Sequence, residues 1–128
     1  MSAKGRSADF AVPLTPPVFH ILLAVADSER HGYAIIKEVE ARTGGKVVLS
    51  TGTLYQAIKR LLDDGLIEET SAAPGRGSDD GRRRYYRLTP FGREVAQAEV
   101  HRMAQLVDIA HQKKLVNLLT LPIGARTR

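Results

Sequence analysis

Apolar residues recur along this chain in three short helical stripes, then in an alternating pattern, then in one long stripe, and that order predicts the architecture. After an N-terminal stretch without a period, Val18, Phe19, Ile21, Leu22, Leu23, Val25 and Ala26 make a nearly all-apolar helix, which has to be buried. Thr15 is its N-cap candidate and Pro16 its first helical residue, a position where the missing N–H of proline is not needed. The short polar linker Asp27 to Arg30 leads to a second helix, from about Gly32 to Thr43. Ile35, Ile36 and Val39 point inward there, Lys37, Glu38 and Glu40 outward, and Gly44 and Gly45 stop it. Lys46 to Leu49 reads as a short extended piece, too brief for a sheet of its own but able to pair with an edge strand.

A third helix follows at once. Ser50 and Thr51 offer oxygens to its free N–H groups, and Leu54, Ala57, Ile58, Leu61 and Leu62 recur at helical spacing. Gly65 suits the left-handed residue after the cap, with Leu66 placed to pack back on Leu61. The opposite face carries Thr53, Gln56, Lys59 and Arg60, four hydrogen-bond donors on a helix held down by its other side. On pattern alone an ordinary amphipathic helix is the commoner outcome. Two helices joined by a tight turn, the second polar on one side, also form a helix-turn-helix, in which the first braces and the second enters the major groove of DNA.

The next pattern has period two. Ile67 to Ala73 and Arg82 to Thr89 are extended candidates separated by PGRGSDDG, a tract that cannot be helical and is too long for a two-residue turn. In the second strand Arg84, Tyr86 and Leu88 share one face, with Tyr86 and Leu88 toward the core, while Arg83, Tyr85 and Arg87 share the other. Arginines at 76, 82, 83, 84 and 87 stand against Asp79 and Asp80, which makes the hairpin a candidate phosphate clamp. A solvated edge strand kept soluble by its charge is the competing reading.

Thr89 and Pro90 open a last helix that is expected to run to about Leu119, roughly 45 Å at 1.5 Å per residue. Ala96, Val100, Met103, Val107 and Ala110 alternate four and three apart, and Leu106 and Ile109 widen the stripe. A helix this long outruns a small domain, so a second copy of the chain is the economical partner. The expected fold class is mainly α with a small β-hairpin. Its divisions are a flexible basic tail over 1–13, a helix-turn-helix with its hairpin over 14–89, a dimerisation helix over 90–119 and a flexible tail over 120–128.

Composition narrows the chemistry. Nineteen Lys and Arg against 14 Asp and Glu give a net charge of +5 over 128 residues, compatible with a polyanionic partner. With no cysteine, disulfides, thiolate metal sites and redox motifs are excluded. The N-terminus lacks the apolar run of a secretory signal and no stretch is long enough to span a membrane, so a cytoplasmic location is expected. His20, His31, His101 and His111 do not assemble into metal-ligand spacing, and HExxH, GxSxG and a phosphate-binding loop are absent. Neither catalysis nor a metal or cofactor is expected.

Taken together, HGYAIIKEVE, LSTGTLYQAIKRLLDDGLIEE and RRRYYRLTPFG with a long trailing helix resemble the PadR family of bacterial transcriptional regulators over about residues 14 to 118. The resemblance implies a winged helix-turn-helix, a homodimer joined through the last helix, and repression of target promoters. It places Tyr33 and Tyr55 close to the DNA backbone and Arg82 and Arg83 at the base of the wing. Thr51 stands where relatives often have proline. The chain also lacks the tryptophan of the aromatic drug site that some members carry, and no effector is assigned. The expected interface with double-stranded DNA comprises Tyr33, Lys46, Ser50, Thr51, Thr53, Tyr55, Gln56, Lys59, Arg60, Arg76, Arg82 and Arg83. The expected dimer contact comprises Ala96, Val100, Met103, Leu106, Val107, Ile109 and Ala110. The rival reading is a winged helix that binds a protein; an apolar exposed face in place of the polar one would favour it.

Overall fold

The computed structural model describes residues 8–70 and 84–122. Three helices, α1 (Pro16–Ala24), α2 (Gly32–Arg42) and α3 (Thr51–Asp63), pack around one core, and a fourth, α4 (Pro90–Gln112), leads away from it. Between them runs an antiparallel sheet of β1 (Arg30–His31), β2 (Ile67–Thr70) and β3 (Tyr85–Leu88), with β3 in the centre. Ile21, Leu22, Ile35, Val39, Leu54, Ile58, Leu61, Ile67 and Val95 form the buried cluster. Each such side chain contributes about 1.5–3 kcal/mol, so the three helices hold one another and none stands alone.

The helix ends follow local chemistry. Ser50 caps α3 by accepting a hydrogen bond from the Thr53 N–H at 3.0 Å. At the other end Gly65 has φ +79°, and the Leu66 and Gly65 N–H groups donate to the carbonyls of Leu61 and Leu62. Those two bonds are the Schellman arrangement, and they turn the chain directly into β2. Thr89 caps α4 through the Gly92 N–H at 2.9 Å while its hydroxyl donates to the Gly65 carbonyl at 2.6 Å. One side chain therefore joins the end of α3 to the start of α4. Thr15, by contrast, makes no side-chain cap bond; α1 opens on the prolines Pro16 and Pro17 alone.

Several elements depart from the sequence pattern. The third strand comes from Arg30 and His31, in the stretch expected to be linker, whereas Lys46 to Leu49 pairs with no strand. Because β1 covers the second edge of β3, Tyr85 is buried like Tyr86, and the His31 ring meets it edge-on at 5.3 Å. Alternation puts Tyr85 on the face opposite Tyr86 and Leu88, and the side chain of its register partner His31 lies against it there.

The N-terminal segment also differs from a flexible tail extending to residue 13. A 3₁₀ turn over Ala8–Ala11 lies on α4, and Ala8, Ala11, Val12 and Leu14 pack against the core. Its anchor is Glu99, 0% exposed, whose carboxylate accepts the Leu14 N–H at 3.3 Å and two bonds from the Arg102 guanidinium at 2.7 and 3.0 Å. The Arg102 bonds hold the Glu99 carboxyl below its ordinary pKa, against burial, which pushes it up.

Finally, α4 ends at Gln112, not near Leu119. Lys114 turns to φ +66° and the Leu115 N–H donates back to the Ala110 carbonyl, a second Schellman stop made without glycine. At 23 residues the helix is about 35 Å long. A short 3₁₀ turn, Leu118–Thr120, follows.

Candidate nucleic-acid interface

The buried stripe of α3 is Leu54, Ile58 and Leu61. At 100° per residue Gln56 lies about 200° from both Leu54 and Ile58, at the middle of the outward face. Around it Thr51, Gly52, Thr53, Tyr55, Lys59 and Arg60 are all exposed. These side chains are not equally free. Ser50 donates its hydroxyl to Thr53 Oγ1 at 3.0 Å as well as capping the helix, so it is already engaged at the helix start. Lys59 pairs with Asp63 at 3.6 Å, both ends well solvated, which is worth well under about 1 kcal/mol and yields readily to a phosphate. Gln56 has no hydrogen-bond partner among the described residues. Arg60 faces the other flank, on the rim of a cleft with Pro13, Leu14, Asp64 and Phe91.

Two tyrosines border this face. Tyr33, on the first turn of α2, is 62% exposed, with the Lys37 ammonium 5.7 Å from its ring centre. Tyr55 is 46% exposed and lies across the start of α2, where any Cβ on Gly32 would collide with its hydroxyl. Thus the glycine of HGY and the tyrosine of GTLY are a matched pair: the bare backbone at 32 seats the ring that projects from α3. His31, just before, caps α2 by accepting the Ala34 N–H on Nδ1 at 3.2 Å. Lys46 is exposed in the loop between α2 and α3.

The wing is less free than its arginine count suggests. Arg87 pairs with Glu68 at 2.6 Å and Arg84 with Glu69 at 3.0 Å, across β2 and β3. Acids other than the aspartates of the connecting tract meet these arginines: register sets Glu68 opposite Arg87, and Glu69, opposite Tyr86, is reached by Arg84 on the diagonal. Arg76, Arg82 and Arg83 fall outside the described residues.

Along α4 the expected dimer residues separate into two groups. Ala96 packs on the chain's own core. Val100, Leu106 and Ile109 are 51%, 52% and 46% exposed, and Met103, Val107 and Ala110 are half-buried.

With a braced helix, a sheet wing and a projecting last helix in place, comparison with known proteins is decisive. Residues 21–98 match the family model described as the transcriptional regulator PadR-like family. The chain belongs to that family. A transcriptional regulator of Mycobacterium tuberculosis is 39% identical over 88 residues, 68% of this chain and 75% of the relative. An uncharacterised protein of Lysinibacillus sphaericus is 34% identical over 89 residues, covering 70% of this chain and 79% of that one. Among solved structures, a PadR family transcription regulator of Clostridium difficile superposes with TM-score 0.64 at 26% identity, over 77% of this chain and 97% of that one. A family member from Eggerthella lenta gives 0.61 at 26% identity, over 78% and 82%. PadR members are transcription regulators, not enzymes. Among the described residues no helix is long and apolar enough to cross a membrane.

Proposed function

We propose that this PadR-family regulator is a repressor that binds a near-palindromic DNA operator as a homodimer in the cytoplasm, laying α3 of each subunit in a major groove. The observation that carries the proposal is the outward face of α3. Thr53, Gln56, Lys59 and Arg60 stand there on a helix fixed by its opposite side, and Tyr55 is its only large exposed hydrophobic residue. A face that docked on a protein would present apolar anchors in their place. Thr53, Gln56 and Lys59 are assigned to bases or adjacent phosphates. Ser50, Thr51, Tyr33, Tyr55 and Lys46 are assigned to the backbone, together with Arg60 and the wing arginines Arg76, Arg82 and Arg83. The net charge of +5 favours such contacts. Two-fold symmetry then sets half-sites about 34–36 Å apart, or a multiple.

Selection from a random pool of duplex DNA tests the reading. The expected product is a family of sequences with two inverted half-sites. An asymmetric single site would overturn the symmetric mode, and an unenriched pool would favour the protein-binding alternative.

A further inference from the structure

Every described glycine except one has a reason inside the fold. Gly44, Gly45 and Gly65 have positive φ, Gly32 seats Tyr55, and a Cβ on Gly92 would strike the Leu66 carbonyl oxygen. Gly52 is the exception. It lies in the first turn of α3, its φ is not in the left-handed region, and a Cβ built on it meets nothing within 4 Å. Glycine is among the poorest helix formers, and the fold gains nothing from it here. A residue that the chain itself does not require bare is explained by something outside the chain.

Gln56 indicates what that is. It follows Gly52 by one turn on the same ridge of the exposed face, and helical side chains lean toward the N-terminus, so the Gln56 amide extends over the surface that Gly52 leaves open. That amide has no partner within the described residues. Its carboxamide offers one donor and one acceptor side by side, the complement of the N6 amino group and N7 of adenine in the major groove.

We propose that Gly52 is the point at which α3 approaches the DNA most closely, and that the space it leaves lets Gln56 read an adenine in each half-site. The assignment rests on the groove-binding reading above. Lys59 is less suited to this, being a point charge that already has Asp63 beside it, and Arg60 sits on the flank beside the cleft.

Gly52→Ala and Gln56→Ala, each as the full chain, are compared with wild type by operator titration, by selection from the random pool and by thermal unfolding. For Gly52→Ala the two effects have opposite signs. The melting temperature rises or holds, because alanine is the better helix former, while operator affinity falls about tenfold from a lost close contact. A structural glycine would lower both. Gln56→Ala keeps its melting temperature and loses preference for A·T at one position per half-site, by roughly ten- to a hundredfold, with the other positions retained. Unchanged operator affinity in Gly52→Ala, or an unchanged selected sequence in Gln56→Ala, would overturn this assignment alone and leave DNA binding standing. A wild-type chain that enriches nothing from the pool would overturn both.

Discussion

At the scale of single residues, Glu99 does what no pattern announces. It lies one turn beyond the fully buried Val95, on the side of α4 that faces the domain, and it joins that helix to the N-terminal segment through the Leu14 N–H. An acidic residue there reads as an interruption of an apolar stripe, and only the positions of Arg102 and Leu14 convert it into a satisfied buried group. Glu99→Gln keeps the shape but loses the charge-assisted fork, and is expected to cost about 1–3 kcal/mol in chemical denaturation. The same carboxylate makes stability depend on pH. Its folded pKa is depressed, so its contribution is fully present above the ordinary carboxylate range and is lost as pH falls through the folded value. Wild type should therefore lose stability on acidification more steeply than Glu99→Gln, and parallel curves for the two would show that the carboxylate is not the group responsible.

Among elements, those defined by their own neighbours in sequence were legible and those defined by distant partners were not. Ser50, Gly65, Thr89 and Pro90 mark helix ends with side chains that act within a few residues, and the structure uses each as expected. A two-residue strand has no period, so Arg30–His31 could not be read before β3 was seen beside it. The pairing of Arg87 with Glu68 was likewise a matter of register and that of Arg84 with Glu69 of a diagonal contact across the two strands, and the stop of α4 at a left-handed lysine carried none of glycine's signal. At the candidate interface, the exposure of the outward face of α3 was legible from spacing. The seating of Tyr55 on Gly32 was not, because those residues meet only through the packing of α2 on α3. Thr89 is the most economical test of how elements are joined, since its hydroxyl both receives from Gly92 and donates to Gly65. Thr89→Val, close in shape but without the hydroxyl, should cost about 1–2 kcal/mol in unfolding, and Thr89→Ser should recover most of it. If serine were no better than valine, the loss would belong to packing and not to the two bonds.

The whole molecule is shaped by a helix longer than its own domain can cover. Gly92, Val95 and Glu99 are buried in the first three turns of α4, whereas Val100, Leu106 and Ile109 are open to solvent further along. Leu115, Leu118 and Leu119 extend the exposed apolar surface past the helix end. The proposed homodimer accounts for this exposed apolar surface, since a second α4 related by a two-fold axis would present the same stripe to it. Ala96 belongs to the chain's own core, so the proposed dimer contact centres further along, on Met103, Leu106, Val107 and Ala110. Val107→Glu places two like charges near that axis without touching the domain's buried cluster. It is expected to sediment as a 14.0 kDa monomer where wild type sediments at twice that mass, with the melting of the core little changed. Operator affinity should fall by about a hundredfold or more, because two half-sites joined in one molecule bind at high effective concentration and separated ones do not. A duplex carrying a single half-site should bind wild type and variant alike. That last comparison separates a broken dimer from a damaged reading helix: equal loss on both duplexes would place Val107 in the DNA-binding unit, and an intact dimer would move the association surface off α4.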